Sequence, residues 1–133
     1  MDNSFYTFSI AMIIAVLMPF PGKTQNPIVQ TMFTADPAPI IHNDTVFLYV
    51  GHDEDDAPSN SFLMREYSLF TTTDMVNWTA HKTPLKTSDF EWSAGDASAA
   101  QCIERNGKFY WYISSLNKTS PGVSVGVAVS DSP

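Results

Sequence analysis

Residues 40–50 read IIHNDTVFLYV, and residues 103–113 read IERNGKFYWYI. In both, a short apolar strand meets a tight turn, Asn43-Asp44 or Asn106-Gly107, and a strongly aromatic strand follows. Such pairs favour a two-residue hairpin, because both central residues of a type I′ turn need positive φ. The two stretches therefore predict two hairpins of the same design.

Working outward, each hairpin continues through a loop into a third strand of small and β-branched residues, 67–73 in the first unit and 123–130 in the second. Both third strands end alike, in Thr73-Asp74 and Ser130-Asp131. After the first of these turns, residues 76–79 (VNWT) read as a fourth, outer strand. No run shows helical periodicity, and Pro27, Pro37, Pro39, Pro58 and Pro84 discourage long helices. The fold class is all-β. Four antiparallel strands repeated radially make a blade of a β-propeller. A sandwich of two four-stranded sheets gives similar local signals, but a sandwich needs no resemblance between its halves, so the repeat favours blades. At about 50–60 residues per blade, this chain holds about two.

The chain has 133 residues, with seven Lys plus Arg against fourteen Asp plus Glu, a net charge of −7. Its few cations are scattered, which is not the footprint of a nucleic-acid binder. Nine Phe, five Tyr and three Trp offer large surfaces to bury, and only 16% of residues are charged, so disorder is excluded. Cys102 is the single cysteine, so neither an intrachain disulfide nor a multi-cysteine zinc site holds the fold. Residues 8–20 (FSIAMIIAVLMPF) are uncharged, too short to span a bilayer as a helix, and fit the apolar region of a secretory signal. The n-region departs from that pattern in having Asp2 and no Lys or Arg. Residues 1–25 are expected to be a signal peptide, residues 26–133 the folded part, and the product secreted or periplasmic, with no membrane attachment after signal removal.

Several polar residues stand out. Asp36 lies in TADPAP, just before the first strand of the first unit, where Pro37 and Pro39 stiffen the backbone. In a propeller that strand lines the central channel. A carboxylate at its mouth suits a general base on water or a cation ligand, while the plainer reading is a turn-forming Asp before Pro. Asp96, in Gly95-Asp96-Ala97, precedes the inner strand of the second unit; a second acid is one reading, and a turn or substrate-rim residue is the preferred one. Residues 52–56 (HDEDD) hold four carboxylates but lack the alternation and glycine of an EF-hand loop. The aromatics Phe47, Tyr49, Phe109, Trp111 and Tyr112 read as packing between blades.

Ala35-Asp36-Pro37 at the start of one blade, Thr73-Asp74-Met75-Val76-Asn77-Trp78 closing it, and residues 103–112 in the next together resemble glycoside hydrolase family 43. Residues 49–54 and Ala99-Ala100-Gln101 look most like its arabinofuranosidase and xylosidase members. The resemblance covers about residues 26–133 and implies a five-bladed propeller, of which this chain is the N-terminal part. It also implies an inverting mechanism, in which one carboxylate activates water while a protonated one about 6.5–9.5 Å away donates to the leaving oxygen. Asp36 matches the general base. The general acid, a Glu, and a second Asp belong to later blades in the family, and Glu54, Glu66, Glu91 and Glu104 match no motif for the acid. His52 and Asp53 would lie at the channel end of a strand and contact substrate. The family often places a Trp where this chain has Ser98, and Trp92, six residues earlier, is the candidate to serve instead from the loop. The implied partner is an arabinoxylan or arabinan type of glycan. No cofactor or catalytic metal is expected, with room for a structural calcium in a complete propeller.

Two functions follow. One is a glycosidase in which Asp36 is the base. The other is a non-catalytic carbohydrate-binding or interaction domain built from the same blades.

Overall fold

Asn43, Asp44, Asn106 and Gly107 have φ of 47°, 58°, 54° and 71°, so both two-residue turns adopt the conformation their sequences ask for. Around them the computed structural model, which describes residues 27–133, builds two antiparallel sheets. The expected leader lies outside the described residues.

In the first sheet, β1 (Phe33–His42), β2 (Thr45–Asp53) and β3 (Met64–Thr72) follow one another as a meander. Two short strands, β4 (Thr79–Ala80) and β5 (Leu85–Lys86), share the far edge of β3. A single 3-10 turn, Thr87–Asp89, leads to the second sheet. There β6 (Ser93–Arg105), β7 (Lys108–Asn117) and β8 (Val123–Ser130) form a second meander. The order of strands repeats as the sequence implied.

Three expectations need correction. The fourth strand does not form at residues 76–79, because Thr72 and Asp74 take up the local backbone N–H groups. Thr72 Oγ1 accepts from Asp74 and Met75, and Asp74 Oδ1 accepts from Val76 and Asn77. A segment satisfied locally has no donors left for a sheet ladder. Pairing resumes only at Thr79. Second, Asp36 does not precede β1 but lies within it, and Asp96 lies within β6. Third, Tyr112 alternates with the buried residues of β7 and faces outward, exposed.

The sheets pack through β6, which lies against β1, β2 and β3. Along β7 the buried side chains Phe109, Trp111, Ile113 and Ser115 alternate with more exposed ones, the period of a strand with one covered face. Trp111 meets Tyr49 and Tyr67 of the first sheet, with ring centroids 4.7 and 5.3 Å away. Ala38, Met64, Leu69, Ala97 and Cys102 complete a core shared by both sheets. Each aromatic pair adds about 0.5–1.5 kcal/mol to what its buried area contributes. Most polar groups in this interface are paired, the exception being the Trp111 indole N–H, which is buried without a partner. The Tyr67 hydroxyl donates to the Ser98 carbonyl at 2.7 Å, and fully buried Ser115 bonds Ser93 Oγ and the Asp96 carbonyl, both at 2.7 Å.

Candidate active site

Pro37 and Pro39 have no N–H to give, so β1 can only be an edge strand, and it pairs with β2 alone. Between the pairs Ala35↔Gly51 and Ala38↔Tyr49, β1 carries two residues, Asp36 and Pro37, against the single Val50. This is a β-bulge, the device by which a strand re-aims a side chain. Asp36 sits in it with φ of 53°, in the left-handed region that only a few per cent of non-glycine residues occupy. Asp is among the residues that tolerate it best. The carboxylate is exposed rather than folded back on its own backbone.

That carboxylate opens onto a pocket of about 420 Å3 between the sheets, whose lining includes Asp36, Asp53, Asp96, Ser98, Phe62 and Met64. Asp36 comes from β1, Asp53 from the end of β2, Phe62 from the β2–β3 loop, Met64 from the start of β3, and Asp96 and Ser98 from β6. Asp53 closes β2 at a register shift opposite Met64. Asp96 lies within the first irregularity of β6, between the paired residues Ser93 and Ala97, and its Oδ1 accepts the Met64 N–H at 3.2 Å, a bond from one sheet to the other. Met64 forms the floor. Its thioether packs where a side chain at Gly51 would collide with it, so Gly51 is what lets Met64 lie flat beneath the pocket. Tyr67 stands behind. Burial and then the Asp36 charge push its phenol up, so it remains a neutral donor to Ser98.

The structure thus brings Asp36, Asp53 and Asp96 together. It does not bring His52 or Trp92 to them. His52 is on the opposite face of β2 from Asp53, as strand alternation requires, with Nδ1 3.4 Å from a Glu66 carboxylate oxygen. Burial works against ionisation of Glu66, but Lys86 at 3.0 Å, with His52 and Thr83, outweighs it and holds the carboxyl below its ordinary range. Trp92 packs on Phe90, ring centroids 5.6 Å apart, and against the backbone of Gly126 in β8. Its indole is committed to the sheet.

The acidic run does not fit a cation. Asp56 makes a bidentate pair with Arg65 at 2.9 and 3.1 Å, and Glu54 lies 3.6 Å from the same guanidinium. Among the described residues no three His, Cys, Asp or Glu side chains converge as metal ligands. No helix among them is long and apolar enough to cross a membrane. The residue the sequence did not single out is Phe62. Its one signal was an aromatic stranded in the polar loop PSNSF.

Two meanders packed face to face, each beginning with an edge strand that carries a carboxylate to a common pocket, define adjoining blades of a β-propeller with an acidic pocket between them. Residues 24–133 match the profile of glycosyl hydrolases family 43. The chain belongs to that family. It is 30% identical over 116 residues to xylosidase/arabinosidase 43A of Humicola insolens, covering 80% of this chain and 35% of that protein. It is likewise 30% identical over 127 residues to the extracellular endo-alpha-(1->5)-L-arabinanase 2 of Bacillus subtilis (strain 168), covering 93% of this chain and 27% of that one. Among solved structures, a GH43 beta-xylosidase/alpha-arabinofuranosidase from a compost microbial metagenome, in complex with xylotriose, superimposes with a TM-score of 0.73 at 31% identity. That match covers 80% of this chain and 34% of the solved one. The GH43_1 enzyme of Xanthomonas citri complexed with xylotriose gives 0.72 at 27%, over 80% and 32%. The chain therefore spans about a third of the length of the proteins it matches.

Proposed function

We propose that this chain is the base-bearing, N-terminal part of an exported glycosidase that cleaves O-glycosyl bonds of arabinose- and xylose-containing plant polysaccharides with inversion. Asp36 carries the reading: a carboxylate held in left-handed backbone at a bulge, exposed, and facing a pocket between blades. Backbone of that kind costs about 1–2 kcal/mol and persists where surrounding structure imposes it, often at functional sites. Asp36 deprotonates the attacking water. Asp53 and Asp96 accept hydrogen bonds from sugar hydroxyls at the rim. The titratable side chains lining the pocket are all carboxylates, which favours neutral sugars over uronic acids, since like charges repel. The names of the two curated relatives support the substrate class, and the extracellular B. subtilis relative supports export from a leader at residues 1–25. Inversion needs a second, protonated carboxyl group, which the family resemblance assigns to later blades.

The test is hydrolysis of aryl arabinofuranoside and aryl xyloside by the protein as its gene encodes it, wild type beside Asp36→Asn. Loss of at least about a hundredfold in kcat with the fold intact is expected, the usual scale for a general base. Unchanged turnover in Asp36→Asn removes Asp36 as the base. A protein that binds xylotriose but cleaves neither substrate is the carbohydrate-binding domain instead. The 133-residue chain alone is expected to show no turnover, as one member of an acid-base pair cannot complete the reaction.

A further inference from the structure

We propose that Phe62 is the apolar platform of the pocket, the ring on which the C–H face of a neutral sugar lies while its hydroxyls turn toward Asp36 and Asp53. The inference rests on the glycosidase reading above and adds the residue that sets sugar affinity. Phe62 is 81% exposed, more than any other large hydrophobic side chain among the described residues. Phenylalanine is ordinarily buried, and here it stands in solvent at the edge of a pocket that it helps to line.

The ring is not presented by a slack loop. The Glu54 N–H donates to the Leu63 carbonyl at 2.9 Å, closing residues 54–63 immediately beside Phe62. Within it the Ser61 N–H donates to the Pro58 carbonyl at 3.0 Å, and the Ala57 N–H to the Glu54 carbonyl at 3.3 Å. Arg65 clamps the loop from outside through its bidentate pair with Asp56. A loop backbone fixed in this way has less freedom to lose when a ligand docks on the ring it carries.

The other walls supply what the ring lacks. Ala35, Ala97 and Ser98 are too small to offer an apolar plane, and they leave room for a sugar ring. Asp36, Asp53 and Asp96 are acceptors for hydroxyl donors. Ligand sites combine an apolar surface with a few convergent polar groups, and in this pocket Phe62 is the one aromatic surface. The electron-rich face of the ring attracts the weakly positive C–H groups of a sugar.

The test compares Phe62→Ala, Phe62→Leu and Phe62→Tyr in the protein as its gene encodes it. Steady-state hydrolysis of aryl arabinofuranoside and aryl xyloside is measured with calorimetric binding of xylotriose, the latter in an Asp36→Asn background. Phe62→Ala is expected to raise KM and weaken xylotriose binding by about tenfold, with kcat held within about twofold. Phe62→Leu keeps apolar bulk without an aromatic face and is expected to lose affinity too, whereas Phe62→Tyr restores it. Melting temperatures should match wild type, as the side chain is not buried. If Phe62→Ala unfolds, the Leu and Tyr variants carry the comparison. Wild-type KM and affinity in Phe62→Ala or Phe62→Leu, a loss confined to kcat, or a defect that Phe62→Tyr does not repair overturns the platform and leaves the glycosidase reading standing. A wild-type protein that neither cleaves nor binds these sugars overturns both.

Discussion

Asp74 shows how much a single side chain decides in this fold. Its Oδ1 accepts the N–H groups of Val76 and Asn77 at 2.9 and 2.7 Å, and its Oδ2 accepts the Asn77 side-chain amide at 2.7 Å. Thr72 donates to it as well, while accepting the N–H of Met75, whose φ is 61°. The bonds from the Asn77 N–H, the Asn77 amide and the Val76 N–H, in that order, hold the Asp74 carboxyl well below the usual carboxylate range. They favour the ionised form in the folded chain only. The stability they contribute is therefore fully present above the unfolded value of about 3.9 and is lost as pH falls toward the folded one. Asp74→Ala is expected to lower the melting temperature at pH 7, with the gap to wild type closing as pH is taken below about 4. A gap of constant size from pH 7 to pH 3 would mean that turn geometry alone, and not the charge, is responsible.

At the scale of elements, β8 illustrates why the repeat carries small residues in its third strand. A Cβ on Gly126 would come 2.6 Å from Trp92 Cζ2 and 3.0 and 3.1 Å from carbons of the Phe90 ring. Those rings cannot easily yield. The Trp92 carbonyl accepts the Lys118 N–H at 2.9 Å, the Ser93 N–H donates to the Phe90 carbonyl at 3.0 Å, and Lys118 Nζ donates to the Glu91 carbonyl at 2.9 Å, which ties down the backbone that carries the rings. Gly126→Ala should therefore cost about 1–3 kcal/mol by overpacking. Chemical denaturation reads this as a lower midpoint at unchanged slope, and a midpoint equal to wild type would show that the 90–92 segment moves freely. The same strand bears on how legible the sequence was. The hairpins were readable because positive φ at two adjacent positions leaves a residue signature, and β8 because its small and β-branched residues are bounded by Gly122 and a Ser-Asp turn. The bulge at Asp36 was not readable, since an extra residue in one strand shows only against its partner. The fourth strand begins at Thr79 rather than Val76 because Thr72 and Asp74 satisfy backbone donors that a periodicity argument assumes are free. Asp53 was placed near Asp36 only by the family resemblance, which placed His52 there as well, and Asp96 read by preference as a turn or rim residue. Phe62 was not singled out, because a loop has no period to betray which way a side chain points.

For the whole molecule, the unequal treatment of the two faces of the second sheet is decisive. One face is sealed by the first sheet, around Trp111 and Ile113. On the other, Val123, Val125, Val127 and Val129 of β8 are exposed, with Tyr112 and Leu116 of β7 beside them. Val127 pairs with Tyr112 and Val123 with Leu116, so these side chains form one continuous apolar surface rather than scattered exposures. Continuous apolar surface of this kind is rare on monomers and marks a contact, and the outer edge of β8 adds unpaired backbone groups to it. The repeated blade design supplies the geometry: each sheet offers one face backward and one forward. The 133-residue chain produced by itself should therefore associate with itself at micromolar concentration. Val125 and Val127 are exposed and lie outside the core shared by the two sheets, so Val125→Lys with Val127→Lys should suppress association with little change in melting temperature, because charge on an exposed sheet face opposes stacking and edge pairing. Sedimentation velocity on the two chains decides it. A wild-type chain that sediments as a monomer, or a double variant that associates equally well, would mean that the valine face is not the contact and that the exposed edge of β8 deserves the same substitution test.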